Sequence, residues 1–176
     1  DTVKAVFSHE GISSETSATM EEFMGTPQIE VVAFDLDDTL APELSFVKSG
    51  YKAVANELAG KCDYSKEEIY NILISEFNKD SKNVFNRALI SIGLKDDRDT
   101  ILELVKIYRE HAIDETIYNY YDDVEAVLKE LKSMDVKLAI LSDGFLVSQE
   151  NKAKALNLPE YFDKIVFTES LGKDCG

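Results

Sequence analysis

Residues 31–43 read Val-Val-Ala-Phe-Asp-Leu-Asp-Asp-Thr-Leu-Ala-Pro-Glu, and this stretch decides the fold. With Ile29 and Glu30 before it, "IEVVAF" is β-branched and aromatic and almost continuous, the pattern of a strand covered on both faces in a parallel sheet. Directly after it Asp35, Asp37 and Asp38 crowd together beside Thr39. Carboxylates placed so closely repel one another unless a positive charge sits among them. The stretch therefore predicts a buried strand whose tip carries a cation-dependent polar site.

Downstream, Pro42 suits a first helical turn, and Leu44, Val47, Tyr51, Val54 and Leu58 follow at helical spacing as far as Gly60. Ser65 with Glu68 forms a capping box for a second helix carrying Ile69, Ile72, Leu73 and Phe77. A third helix is expected from Val84 to Ile92, stopping near Gly93, and Asp99 or Thr100 opens a fourth. Four amphipathic helices in a row predict a helical insertion over 42–113, packed as its own small bundle. Its aromatic residues, Phe46 and Tyr51 included, read as core.

The chain then returns to alternating order. Asp122 with Glu125 is expected to cap a helix through Ser133, "VKLAIL" (136–141) is a second strand, Val147–Leu156 a helix and "DKIVF" (163–167) a third strand. This is the grammar of a Rossmann-like α/β core with a parallel sheet, built from 29–41 and 114–176. Ligands bind such sheets at the carboxyl ends of the strands, where "DLDDT" and Ser142-Asp143-Gly144 both fall. Residues 1–28 read as an N-terminal extension or linker: "TVKAVF" as a short strand, able to pair with an open edge of the core sheet, and the Ser-, Thr- and Gly-rich remainder as loop up to Pro27.

Composition narrows the class. The 34 acidic against 19 basic residues give a formal charge of −15, which repels a phosphate backbone and argues against nucleic acid as a partner. No window approaches the roughly 18 unbroken apolar residues that span a bilayer, and no basic, then apolar leader opens the chain. Cys62 and Cys175 belong to no C-x-x-C pair and read as reduced thiols of a cytoplasmic protein. His9 and His111 stand alone and read as surface histidines.

A carboxylate at a strand tip can attack phosphorus, forming an aspartyl-phosphate that splits one hard hydrolysis into two easier steps. It needs Mg²⁺, a hard cation with oxygen ligands, to neutralise charge on the transferring group. A second carboxylate two residues on can protonate the leaving oxygen and later activate water. Thr39, Ser142 and the N–H of Gly144 can donate to phosphate oxygens. The bland readings are an acidic turn for "DLDDT" and an ordinary turn for "SDG". The joint occurrence of apolar strand, D-x-D-x-T and a second hydroxyl-tipped strand favours the chemical one.

At these residues the chain resembles the haloacid dehalogenase (HAD) superfamily. "VVAFDLDDTL" is similar to its first motif and "LAILSDG" to its second, and "SDGFLVSQENKAKALNLPEYFDKIVFTESLG" looks like the continuation in its small-molecule phosphatases. The resemblance covers residues 30–176. It implies Asp35 as nucleophile and Mg²⁺ ligand, Asp37 as general acid/base with its backbone carbonyl on the metal, Thr39 as loop support and Ser142 as phosphate ligand. The helices at 42–113 match a cap domain inserted after the first strand, which in the family closes over small substrates. An Asp at position 37 points to phosphatase or phosphomutase over dehalogenase or ATPase.

The same resemblance calls for a Lys-Pro and an acidic pair that complete the phosphate and metal sites. The chain ends at "ESLGKDCG" before either. Lys173 is a substitute for the lysine, with Lys152 and Lys154 as weaker ones, and the chain is expected to be part of a longer one. The leading reading is a Mg²⁺-dependent phosphatase acting on a small phosphorylated metabolite, a sugar phosphate or nucleotide. An inactive HAD-like binding or regulatory domain, a fragment of a larger enzyme and a phosphomutase stay open beside it.

Overall fold

The computed structural model describes residues 2–9, 12–19, 29–114 and 116–172. They fall into two units, residues 1–31 and 32–176. In the first, β1 (Thr2–His9) pairs antiparallel with β2 (Ile12–Thr19), Thr2 opposite Thr19 and His9 opposite Ile12. The expected strand is there, but its partner is the segment read as loop. Ladder bonds are made by backbone groups and do not require apolar side chains, and the β-branched Ile12, Thr16 and Thr19 favour extended backbone.

In the second unit, β3 (Val31–Phe34), β4 (Lys137–Ser142) and β5 (Lys164–Phe167) form a sheet in that order. Strands β4 and β5 run parallel, with Ala139 opposite Lys164 and Ser142 opposite Phe167. Between β3 and β4 stand α1 (Glu43–Leu58), α2 (Lys66–Lys79), α3 (Val84–Ser91), α4 (Arg98–Glu110) and α5 (Val124–Ser133). α6 (Leu146–Ala155) and the short α7 (Leu158–Tyr161) join β4 to β5, and a 3₁₀ turn (Thr168–Leu171) follows. The capping box is complete: the Ser65 hydroxyl accepts from the Glu68 N–H, and the Glu68 carboxylate accepts from the Ser65 N–H at 2.8 Å. Two other starts differ from expectation. Helix α4 is capped by Asp97, which accepts from the Thr100 N–H at 3.0 Å, and α5 begins after Asp123 with no side-chain cap.

The buried side chains form two clusters. One fills the helical block, with Val54, Leu58, Ile69, Leu73, Leu89 and Leu104 at its centre; α1 packs on α2 and α4, and α2 on α3. The other underlies the sheet and includes Leu36, Leu40, Phe46, Leu128, Leu138 and Ile140. Each fully buried Leu or Ile contributes about 1.5–3 kcal/mol. Gly50 on α1 allows the close approach of α4, since a Cβ there would lie 2.5 Å from the Tyr108 ring. Tyr108 packs against both clusters.

The expectation that the first strand is covered on both faces does not hold. Val31 is 56% exposed and no residue of β3 is fully buried, while on β4 Leu138, Ile140 and Ser142 are buried and Leu141 is 53% exposed. Among the described residues one face of the sheet packs on α5 and α6 and the other meets solvent, so the apolar run that signalled two covered faces is half exposed.

His111 is a second correction. It is buried where the chain leaves α4, with Nδ1 2.7 Å from the Tyr108 carbonyl and Nε2 2.9 Å from Ser49 Oγ. The carbonyl can only accept, so Nδ1 carries the proton and Nε2 accepts from the Ser49 hydroxyl, which in turn accepts from the Asp114 N–H at 2.9 Å. Burial pushes the His111 pKa down, opposed by its bond to the Tyr108 carbonyl. Cys62 donates to the Leu58 carbonyl at 3.4 Å and is a free thiol; His9, Cys175 and the Pro27 segment lie outside what is described of side chains.

Candidate active site

Strand β3 ends at Phe34, and the chain curls at once. The Leu40 and Ala41 amides donate to the Leu36 carbonyl, and the Asp38 amide donates to the Ala41 carbonyl at 2.9 Å. Leu36 is fully buried inside this curl, so its neighbours Asp35 and Asp37 are carried on the polar side. Asp35 is exposed, and its Oδ1 accepts from the Leu36 N–H at 2.7 Å. Asp38 adopts a left-handed backbone (φ 54°), and its Oδ1 accepts from the Glu43 N–H at 2.9 Å. It thereby caps α1 from outside the helix, a task the Pro42 side chain cannot perform. The third carboxylate of the crowd is thus a structural loop residue.

Asp37 is held from the far side of the unit by α6. The Lys152 ammonium lies 2.6 Å from both Asp37 oxygens, and Gln149 Nε2 donates to Asp37 Oδ2 at 3.0 Å and to the Asp143 carbonyl at 2.7 Å. The Lys152 side chain is 4% exposed, with its ammonium 4.6 Å from the Phe46 ring centroid. Here is the positive charge that the acidic stretch required, supplied by the protein itself. Gly144 makes room for it: at φ 129°, its missing Cβ would stand 2.6 Å from Gln149 Nε2.

The second cluster lies at the tip of β4. Ser142 Oγ is buried without a hydrogen-bond partner, as is Gln149 Oε1. A buried hydroxyl left unpaired costs about 1–3 kcal/mol, which an incoming acceptor oxygen would relieve. The Asp143 pKa is held down by the Thr168 hydroxyl and the Gly144 N–H. Glu43, in the first turn of α1, has its pKa pushed up by burial and by the charge of Asp37, with Lys152 opposing.

Of the residues expected from sequence, the fold places Asp35, Asp37, Ser142 and Gly144 on adjoining strand tips. Thr39 is exposed and lines a small cavity of about 170 Å³ against α5, with no hydrogen bond to the other candidates. Lys173 lies outside the described residues. Lys152, ranked below Lys173 on sequence, is the lysine that reaches an acid of the motif, together with Gln149. Their spacing of three puts both on one face of α6, the available signal. A larger cavity, about 620 Å³, opens within the helical block between Glu43, Tyr51, Phe77, Asn83, Phe85 and Tyr108. Burial raises the Tyr51 pKa to about 12 and raises that of Tyr108 as well, so both phenols remain neutral donors. Phe46, expected in the core of the helical block, belongs instead to the core under the sheet, and Tyr51 is buried in the block while also facing this cavity.

For a hard cation the donors fit in kind. Asp35 offers an exposed carboxylate and Asp37 a backbone carbonyl, both oxygen ligands suited to Mg²⁺. Among the described residues no three acidic, His or Cys side chains gather as a ready-made metal site. No helix among them is long and apolar enough to cross a membrane.

A family model for haloacid dehalogenase-like hydrolases matches residues 32–174. The chain belongs to this family. Glyceraldehyde 3-phosphate phosphatase of Methanopyrus kandleri is 28% identical over 82% of the chain and 64% of its own length. N-acylneuraminate-9-phosphatase of Mus musculus is 26% identical over 81% of the chain and 62% of its own length. The chain thus spans just under two thirds of the curated relatives it matches. Among solved structures, YfnB of Bacillus subtilis, bound to magnesium, superposes with a TM-score of 0.57 at 17% identity, covering 83% of the chain and 66% of that structure. CbbY of Rhodobacter sphaeroides, in complex with phosphate, gives 0.51 at 18% identity over 83% and 66%. These likenesses bear out the HAD-like α/β fold read from the sequence.

Proposed function

We propose that the polypeptide is a Mg²⁺-dependent phosphatase that hydrolyses a small phosphomonoester, of the sugar-phosphate or nucleotide class, through an aspartyl-phosphate on Asp35. The observation that carries this reading is the contrast between neighbouring carboxylates: Asp35 exposed and available, Asp37 clamped two residues on. Relatives named as phosphatases of glyceraldehyde 3-phosphate, N-acylneuraminate 9-phosphate and phosphoglycolate support it.

In this reading Asp37 enters the cycle protonated; an Asp35 oxygen attacks phosphorus, the bond from phosphorus to the leaving oxygen breaks, and Asp37 gives that oxygen its proton. The Asp37 carboxylate then takes a proton from water as the water oxygen attacks phosphorus and breaks its bond to Asp35, which frees phosphate and returns Asp37 to its protonated form. Ser142 and the Gly144 N–H hold the phosphate oxygens. Asp35 and the Asp37 carbonyl would hold Mg²⁺, which when bound neutralises charge on the phosphoryl group. The helical block serves as cap, its aromatic-walled cavity receiving the leaving group. The protein is cytoplasmic, with a small phosphorylated metabolite as partner and neither nucleic acid nor membrane.

The test is Asp35→Asn in the full-length gene product, assayed with Mg²⁺ on an aryl phosphate. Phosphate release is expected to vanish while the thermal unfolding transition stays. Unchanged turnover would overturn the nucleophile, and a wild-type protein that binds phosphorylated ligands without hydrolysing them would favour the binding-domain alternative.

A further inference from the structure

We propose that Lys152 and Gln149 of α6 are positioning residues that set the orientation of Asp37 for proton transfer to the leaving group; this rests on the reading of Asp37 as general acid/base. Three hydrogen bonds reach its two carboxylate oxygens: the ammonium contacts both at 2.6 Å and the Gln149 amide takes Oδ2 at 3.0 Å. A carboxylate gripped on both oxygens has one orientation, and a proton donor misplaced by an ångström loses orders of magnitude in rate. Gln149 spends its other N–H on the Asp143 carbonyl, so one amide ties the acid to the tip of the neighbouring strand. The glycine at 144 is what lets that amide approach.

Stability gives little reason for this arrangement. A buried ammonium–carboxylate pair is commonly no more stabilising than apolar side chains of the same volume, because both ions lose their hydration. Lys152 is 4% exposed, set between the Phe46 ring and the acid, and its cost is repaid where orientation matters. The same helix is braced at a second point. Asn151 donates to the Arg109 carbonyl at 3.0 Å, and the Arg109 guanidinium stacks 3.3 Å from the Phe145 ring centroid. The platform that carries Lys152 and Gln149 is therefore fixed at two points outside the acidic loop.

The experiment compares phenyl phosphate, whose leaving group needs a proton, with p-nitrophenyl phosphate, whose leaving group does not. kcat/KM, which ends at expulsion of the leaving group, is measured for the full-length gene product with Mg²⁺. Lys152→Met is expected to lower it about 100-fold for phenyl phosphate and less than about 5-fold for p-nitrophenyl phosphate, the span of a lost general acid. Gln149→Met, which keeps the charge pair, shows the same selectivity at about 10-fold and carries the test if Lys152→Met shows no unfolding transition. In an Asp37→Asn background neither change lowers the phenyl phosphate value further. Equal losses on both substrates, or none, would overturn the positioning role while leaving the phosphatase reading intact. A wild-type protein that cleaves neither substrate would overturn both.

Discussion

The helical block and the sheet differ in how completely each satisfies itself. In the block, α2 is closed by a reciprocal capping box and α4 by Asp97, and the α2–α3 turn is locked by Arg87. That guanidinium bonds the Glu76 carboxylate at 2.8 Å and the Glu76 and Asp80 carbonyls at 2.7 and 2.6 Å. Under the sheet, by contrast, the Tyr118, Ser142 and Gln149 side chains each keep a buried polar atom without a hydrogen-bond partner among the described residues. The block is built from neighbours in sequence, and its polar ends are capped from within it. The sheet side keeps unfilled valences where ligands are expected, the division between stable scaffold and reactive site that enzymes commonly show.

Paired cavity mutations would break or sharpen this contrast most directly. Leu73→Ala in the block is expected to cost about 3 kcal/mol in urea unfolding, because its surroundings cannot collapse. Leu138→Ala, equally buried on β4, is expected to cost less, since a sheet packed on one face only can shift toward the helices that cover it; an equal loss would refute the contrast. Next, Gly50→Ala drives a methyl into the Tyr108 ring and is expected to cost about 2 kcal/mol, read in the same assay. Ser65→Ala removes the cap of α2 for about 1 kcal/mol, and a calorimetric melt should show a lower midpoint with hydrolysis unchanged.

The smallest effect is one of pH. His111 has a folded pKa below its unfolded value, so only the unfolded chain takes up this proton as pH falls from 7 through about 6.5. Its contribution is present above that range and is lost on acidification. Glu43, raised by burial and the charge of Asp37, acts with the opposite sign at lower pH, and Asp114, held down at about 2 by Thr116 and Lys52, acts lower still with the sign of His111. The unfolding midpoint should drop between about pH 7 and 5.5 by more in the wild type than in His111→Gln.

Local pattern made the helices and the acidic strand tip legible. The 3.6-residue spacing, the Ser65–Glu68 pair and an apolar run ending in D-x-D-x-T are properties of adjacent residues. What escaped depends on partners far along the chain. Lys152 sits 115 positions from Asp37, and on a helix with little apolar periodicity a lysine reads as solvated until its carboxylate is seen. His111 escaped likewise, since its cover comes from Ser49 and Phe46 on another helix. The hairpin at the start of the chain was hidden because Ile12–Thr19 is mostly hydroxyl side chains, and pairing there follows from backbone alone. The exposed face of β3 contradicts an inference from composition, because apolar strands advertise the cover they could accept.

The curl at residues 36–43 has a consequence in entropy. Four of its amides, those of Asp38, Leu40, Ala41 and Glu43, are held by the Leu36 and Ala41 carbonyls and the Asp38 carboxylate, so the loop is ordered before any ligand arrives. Freezing a residue's backbone costs about 1–2 kcal/mol, and a slack loop would levy that charge at every encounter. Here the ordering is settled once, at folding, and binding at this loop does not have to repeat it.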